Sequence, residues 1–202
     1  MKKLIALLTI MTVLITLTAP LTASASTINT KDYVTYEYTD TGSQLIVTLK
    51  NVSTQTISLT VTPLFLDSSD KEIIVYSKDI VTFEPGRTAV KVFDDPVGYK
   101  KVSVSVTVSL DYYLKGIGCT SGISQSRFII PSFVDFVAYT KNNSGCDAKL
   151  VSYTVLFYRS GSIVKAYEVK LENLDAEYSS FTFHDDDFAC DNFKIVLNEA
   201  FY

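Results

Sequence analysis

Lys101-Val102-Ser103-Val104-Ser105-Val106-Thr107-Val108-Ser109-Leu110 alternates an apolar with a small polar residue once past its leading lysine. Successive side chains of a strand point to opposite faces. Val102, Val104, Val106, Val108 and Leu110 therefore share one face, and Ser103, Ser105, Thr107 and Ser109 the other. Wound as a helix, the same stretch would spread its valines around the whole circumference. It predicts a half-buried strand, and β-branched side chains suit that pleated surface.

The same device recurs to either side. Ile57, Leu59, Val61 and Phe65 alternate with Ser58, Thr60 and Thr62; Val151, Tyr153, Val155 and Phe157 repeat the pattern. No stretch after residue 30 shows a capped apolar period of 3.6. The reading is all-β, with strands over 33–38, 44–50, 56–66, 72–82, 87–93 and 99–113, then 126–141, 149–158, 163–173, 178–183 and 193–201. Between the two sets, Gly116-Ile117-Gly118-Cys119-Thr120-Ser121-Gly122 reads as a linker. The expected organisation is a signal segment over 1–25, a sandwich over 26–114, a Gly-rich linker over 115–124 and a second sandwich over 125–202.

The two sets resemble each other. Phe65-Leu66-Asp67 closes a long strand before Ser68-Ser69-Asp70, as Phe157-Tyr158-Arg159 does before Ser160-Gly161-Ser162. Asn51-Val52-Ser53 and Asn142-Asn143-Ser144 occupy matching places, as do Phe93-Asp94-Asp95 and Phe183-His184-Asp185-Asp186. Glu84-Pro85-Gly86 makes the late turn in the first copy, where the second has Asp175-Ala176-Glu177. A strand ending in Asn-x-Ser, a long strand closing on Phe-x-Asp, a polar turn, a Pro-Gly turn and a final alternating strand together resemble FxLYD-type modules. These are small immunoglobulin-like β-sandwich domains of exported bacterial proteins. The resemblance spans most of 43–110 and, more loosely, 132–200. It implies a tandem pair of Ig-like sandwiches in an extracytoplasmic setting, and it transfers no catalytic residue.

The front of the chain agrees with that setting. Lys2 and Lys3 precede an apolar run from Leu4 to Leu21 and then Ala23-Ser24-Ala25, the order of a secretory signal. Cleavage is expected between Ala25 and Ser26; an uncleaved anchor is the alternative, and the membrane would then be met only through this segment. Without Lys2 and Lys3 the 18 basic residues fall to 16 against 22 acidic ones, a formal charge of −6. Such a balance offers no concentrated basic face for nucleic acid.

Three cysteines in an exported chain allow one disulfide with one thiol over. If 126–141 runs one way with only a kink at Pro131, Cys119 and Cys190 fall at the same end of the second sandwich. That pair is the expectation, with Cys146 as the alternative partner. His184 stands beside Asp185, Asp186 and Asp187, and Asp94-Asp95 occupies the matching place in the first copy. These acids are candidates for a loop-bound calcium ion, although consecutive strand residues diverge. There is no Gly-x-Ser-x-Gly elbow, no phosphate loop and no dinucleotide fingerprint. Tyr33, Tyr36, Tyr38, Tyr112, Tyr113 and Tyr139 are candidate contact residues, because rings supply contact area at small entropic cost. The expectation is a secreted, non-catalytic protein without cofactor that binds another extracellular or envelope protein or acts as a spacer. The alternative is a ligand or glycan binder, assisted by calcium at the acidic loops.

Overall fold

A computed structural model describes residues 29–73, 76–110, 118–130, 135–177, 179–185 and 190–202. The expected signal segment and its cleavage site at Ala25–Ser26 lie outside them, as do Tyr112, Tyr113, Asp186 and Asp187. The described residues form thirteen strands: β1 (Val34–Asp40), β2 (Gln44–Asn51), β3 (Ile57–Leu66), β4 (Glu72–Ile73), β5 (Lys78–Phe83), β6 (Thr88–Asp94), β7 (Lys101–Ser109), β8 (Ile123–Ile130), β9 (Asp135–Asn142), β10 (Ala148–Arg159), β11 (Ser162–Leu174), β12 (Ser179–Asp185) and β13 (Asn192–Phe201). All pairing between them is antiparallel. The all-β expectation holds.

In the first half, β1-β2-β6 face a sheet in which β3 pairs with β4, β5 and β7. Alternate residues of both sheets fill the space between them: Leu45, Val47 and Leu49 from β2, Ile57, Leu59, Val61 and Phe65 from β3, and Ala89 and Phe93 from β6. Val102, Val104, Val106 and Leu110 of the opening stretch pack against this core, while Ser103, Ser105 and Thr107 are exposed. In the second half, β8-β9-β12 form one sheet and β11-β10-β13 the other. Tyr153, Val155, Phe157 and Phe193 are the large buried side chains of that core. Leaving aside the two-residue β4, the sheet order is the same in both halves: first, second and fifth strand against fourth, third and last.

The repeated Asn-x-Ser has a structural cause. Asn51 is fully buried; its Nδ2 donates to the carbonyls of Gln55 and Phe83, and its Oδ1 accepts from the Ser53 N–H and hydroxyl. Asn142 donates to Cys146 and Leu174 and accepts from both groups of Ser144. Every partner is displaced by the 91 residues that separate the two asparagines. One carboxamide fastens the corner after the second strand to the end of the fourth, because buried main-chain groups there need partners.

Two expectations are corrected. The run over 126–141 is a hairpin, since β8 and β9 pair antiparallel from Ile123↔Asn142 to Ile130↔Asp135. Pro131-Ser132-Phe133-Val134, outside the described residues, lacks the Gly or Asn that marks most tight turns. The expected linker also enters the second half early. Gly118 bridges to Phe201, the Cys119 N–H donates to the Ala200 carbonyl, and Gly122 approaches Ser144 so closely that a Cβ would sit 2.7 Å from its Cα.

The halves meet edge on face. Ile46, Val90 and Val92 point away from the first core and cluster with Leu156, Ala166 and Val196 of the second half. The β2 ladder occupies one side of β6, and side chains of the second half serve the other. Val90 N–H donates to Asn198 Oδ1 at 2.8 Å, Val90 C=O accepts from Thr154 Oγ1 at 3.0 Å, and Val92 N–H donates to Glu168 Oε1 at 3.1 Å. Lys78 Nζ donates to the Val92 carbonyl and pairs with Glu168 Oε2 at 2.6 Å. On β5, Val81 N–H donates to Glu199 Oε2 at 2.7 Å. The Gln44 carboxamide returns the device, bonding both N–H and C=O of Ala166 on edge strand β11. Strand edges that would otherwise invite pairing with another chain are closed here by side chains.

Candidate functional site

Strand β1 differs from these closed edges. Only Val34 is buried; the six residues that follow it are exposed. Val52 N–H donates to the Tyr33 carbonyl, which sets the alternation of the β1–β2 ladder. Thr35, Glu37 and Thr39 carry the ladder bonds, so the main-chain groups of Tyr36 and Tyr38 point away from β2. Among the described residues no side chain caps them. The rings stand beside these groups, 41% and 46% exposed. Tyr36 reaches across the open side of the sandwich and donates its hydroxyl to the Val104 carbonyl of β7 at 2.9 Å. Behind β1, Thr35, Glu37, Thr48, Lys50 and Thr88 line a shallow groove of about 370 Å³. Tyr33 packs on the core instead, and Tyr139 is half-buried opposite Ser126.

The acidic candidates do not assemble into a cation site. Asp95 Oδ2 and Asp40 Oδ2 both accept from the Tyr99 hydroxyl, at 3.1 and 2.7 Å. That hydroxyl has one proton for two carboxylates. Burial, then the neighbouring Asp40, pushes the Asp95 carboxyl up. The Tyr99 hydroxyl and the Gly42 N–H hold Asp40 down. Burial and both acids raise Tyr99 itself. Asp94 is exposed and lines a different groove with Thr41 and Lys165, as strand alternation requires. On β12 the backbone of His184 and Asp185 pairs with Phe136 and Asp135; their side chains lie outside the description. Among the described residues, no three His, Cys, Asp or Glu side chains come together as metal ligands.

Cys119, Cys146 and Cys190 form no disulfide with one another. Because β8 and β9 form a hairpin, Cys119 lies at the end of the second half that carries Cys146. Cys190 precedes β13 at the opposite end, where Asp191 N–H bonds the Tyr158 carbonyl. The fold therefore does not bring Cys119 to Cys190, and the direction argument for that pair fails with the hairpin. Burial, then Glu84 and Cys146, pushes the Cys119 thiol up to about 11. Cys146 is exposed.

The feature that sequence reasoning missed is Lys91. It stands inside the apolar stretch Ala89-Val90-Lys91-Val92-Phe93, 2% exposed, with its Nζ 3.7 Å from Glu199 Oε1. The signal was visible: a lysine in a five-residue apolar run, and Glu199 in Val196-Leu197-Asn198-Glu199-Ala200, are charges in strands buried on both faces.

No family of known sequences matches the chain, and no curated protein does. Among solved structures it is similar to red sea bream transglutaminase, at 12% identity and a TM-score of 0.30. The similarity covers 83% of this chain but only 31% of that one, so the chain spans about a third of its length. At that level of superposition neither a shared fold nor shared chemistry follows.

Proposed function

We propose that this chain is an exported, non-catalytic interaction protein that holds a protein partner by strand addition to β1. The observation that supports this most is the contrast between edges. β5, β6 and β11 each have main-chain groups capped by side chains across the seam, whereas β1 presents two unpaired main-chain positions flanked by Tyr36 and Tyr38. Added strands gain affinity from main-chain bonds and specificity from alternate side chains, and tyrosine supplies rigid contact area. The leader-like front of the chain and the resemblance to exported sandwich modules support the extracytoplasmic setting. The sealed seam also suits a spacer, since it fixes the two sandwiches relative to each other.

The test is Tyr38→Pro. Proline removes the outward N–H that an added strand needs, and an edge strand tolerates it because that N–H makes no ladder bond. A photocrosslinker at Thr35 of the full chain should capture a discrete envelope or medium protein. Tyr38→Pro should abolish that capture and leave the unfolding midpoint nearly unchanged. Equal capture by the variant would refute strand addition.

A further inference from the structure

The second half carries its own lateral opening, between β8 and β13, and its chemistry differs from that of β1. A groove of about 430 Å³ there is lined by Gln125 and Arg127 of β8 and by Asn192, Phe193 and Ile195 of β13. The Arg127 guanidinium lies 5.2 Å above the Phe193 ring and donates to Asn192 Oδ1 at 3.2 Å. The planar guanidinium rests over the ring and has further N–H groups to bind an acceptor. Gln125 Nε2 is buried in this wall with no hydrogen-bond partner among the described residues. A second groove of about 290 Å³ shares Lys194 and Ile195 with the first and brings in Arg87 from the β5–β6 turn. The two grooves follow β13 from Asn192 to Leu197, about 17 Å at the strand rise.

Three cations, Arg127, Lys194 and Arg87, border this trough, and among the described residues no carboxylate lines it. None of the three is in an ion pair with a described residue. The nearest acid in sequence, Asp191, is turned to the Ser160 N–H. On a chain of net charge −4, the charged side chains among the described lining are all cationic.

We infer that the trough binds an extended acidic segment of a protein partner. Carboxylates would meet Arg127 and Lys194, the orphaned Gln125 amide, turned out of the wall, would donate to a main-chain carbonyl, and apolar side chains would lie on the half-buried Ile195. A duplex or a compact phosphate fits less well. The cations are strung along a strand rather than gathered at a point, and the floor between them is apolar. Unpaired buried donors are uncommon in native proteins, and a ligand carbonyl supplies what Gln125 lacks. This site is separate from β1 and stands without it.

The experiment measures fluorescence anisotropy of the full chain with three blocked, labelled hexapeptides: alternating Glu-Val, Gln-Val and Lys-Val. The Glu-Val peptide should bind, weaken with salt, and be displaced by its unlabelled form. Arg127→Glu and Lys194→Glu should each weaken it about tenfold, mostly through slower association. Gln125→Met should weaken it several-fold while raising the urea midpoint, because the orphaned donor is gone. Tyr38→Pro should leave it unchanged, which separates this site from β1. Equal affinity for the three peptides, no binding of Glu-Val, or stronger displacement by inorganic polyphosphate of equal charge would each overturn the inference.

Discussion

Removing the carboxylate of Glu199 tests the seam most directly. In Glu199→Ala the Lys91 ammonium, 2% exposed, keeps its burial and loses its nearest counter-charge, while Val81 N–H loses its acceptor. Breaking a buried pair from one side typically costs about 3–5 kcal/mol. The charge has one escape, which is to leave: discharging a lysine at pH 7 from an ordinary value near 10.5 costs about 5 kcal/mol, and that caps the loss. Glu199→Gln keeps an acceptor for Val81 and should lose clearly less. Lys91→Met with Glu199→Leu removes both desolvated charges and should recover to within about 1 kcal/mol of the parent, or exceed it.

The assay is urea unfolding of the full chain, followed by circular dichroism and tyrosine fluorescence, since there are 13 Tyr and no Trp. Burial lowers the Lys91 pKa, with Glu199 and Glu168 opposing it. The unfolded chain therefore keeps this proton to higher pH than the folded chain. The stability difference between parent and Lys91→Met should shift in the parent's favour as pH rises toward 10.5. A loss below about 1 kcal/mol for Glu199→Ala would mean that the pair is solvated and the halves do not seal against each other.

Four further outcomes follow from the geometry. Asp95→Asn should raise the unfolding midpoint at neutral pH and lose that advantage as pH falls toward 3.8, because a raised carboxyl opposes folding only while ionised; Asp40→Asn should lower the midpoint at neutral pH, a loss that fades as pH falls below 3.8, and matching signs would refute the shared-proton arrangement. Asn51→Ala and Asn142→Ala should each cost about 2–3 kcal/mol by orphaning buried carbonyls, and a loss under about 1 kcal/mol at either would remove the corner from the account. In native protein, iodoacetamide should alkylate Cys146 well before Cys119, whose thiol is buried and pushed up to about 11; peptide mapping after oxidation should give no Cys119–Cys190 bridge, and finding one would contradict the hairpin. Gly122→Ala should lower the midpoint of the second half, since the new methyl meets backbone atoms of Ser144 rather than a side chain that can swing away; an unchanged midpoint would show that the 118–122 turn is not docked there.

The strands were legible because their information is local. Period-two alternation at 57–66, 101–110 and 151–157 reports one buried face per strand, and turn residues bound most segments within a residue or two of the observed ends. The hairpin of β8 and β9 was not legible, because the sequence between them, Pro131-Ser132-Phe133-Val134, contains no Gly, Asn or Asp to announce a reversal. That one omission carried the cysteine assignment with it. The seam was half legible. β6 reads Thr88-Ala89-Val90-Lys91-Val92-Phe93-Asp94, an almost continuous apolar run, which is how a strand buried on both faces reads. What covers its second face depends on β10, β11 and β13, more than 50 residues away, and no local pattern encodes that meeting. The β1 edge and the β8–β13 trough were equally hidden, because an unpaired edge is a property of sheet order rather than of any one segment.

A shared sheet order makes the two halves controls for each other. What the fold itself requires is held in both: the sheet order, the buried Asn-x-Ser corner, and the phenylalanine closing the third strand at 65 and 157. What only one copy needs has diverged at register-equivalent positions. Thr62 of β3 pairs with Ser105 and Thr60 with Thr107; in the second copy Thr154 pairs with Val196 and Ser152 with Glu199. The outer face that is serine and threonine in the first half, open to water, thus becomes valine, asparagine and glutamate in the second, where it lies on β5 and β6. A face of the first kind cannot seal another strand edge, because it has neither the apolar contact of Val196 nor the acceptors of Asn198 and Glu199. By the same comparison, Tyr38 of β1 stands where β8 has Arg127, each opposite its own copy's last strand. One half has an aromatic edge and the other a cationic trough, so the lateral openings are where two sandwiches of the same sheet order differ in side-chain chemistry.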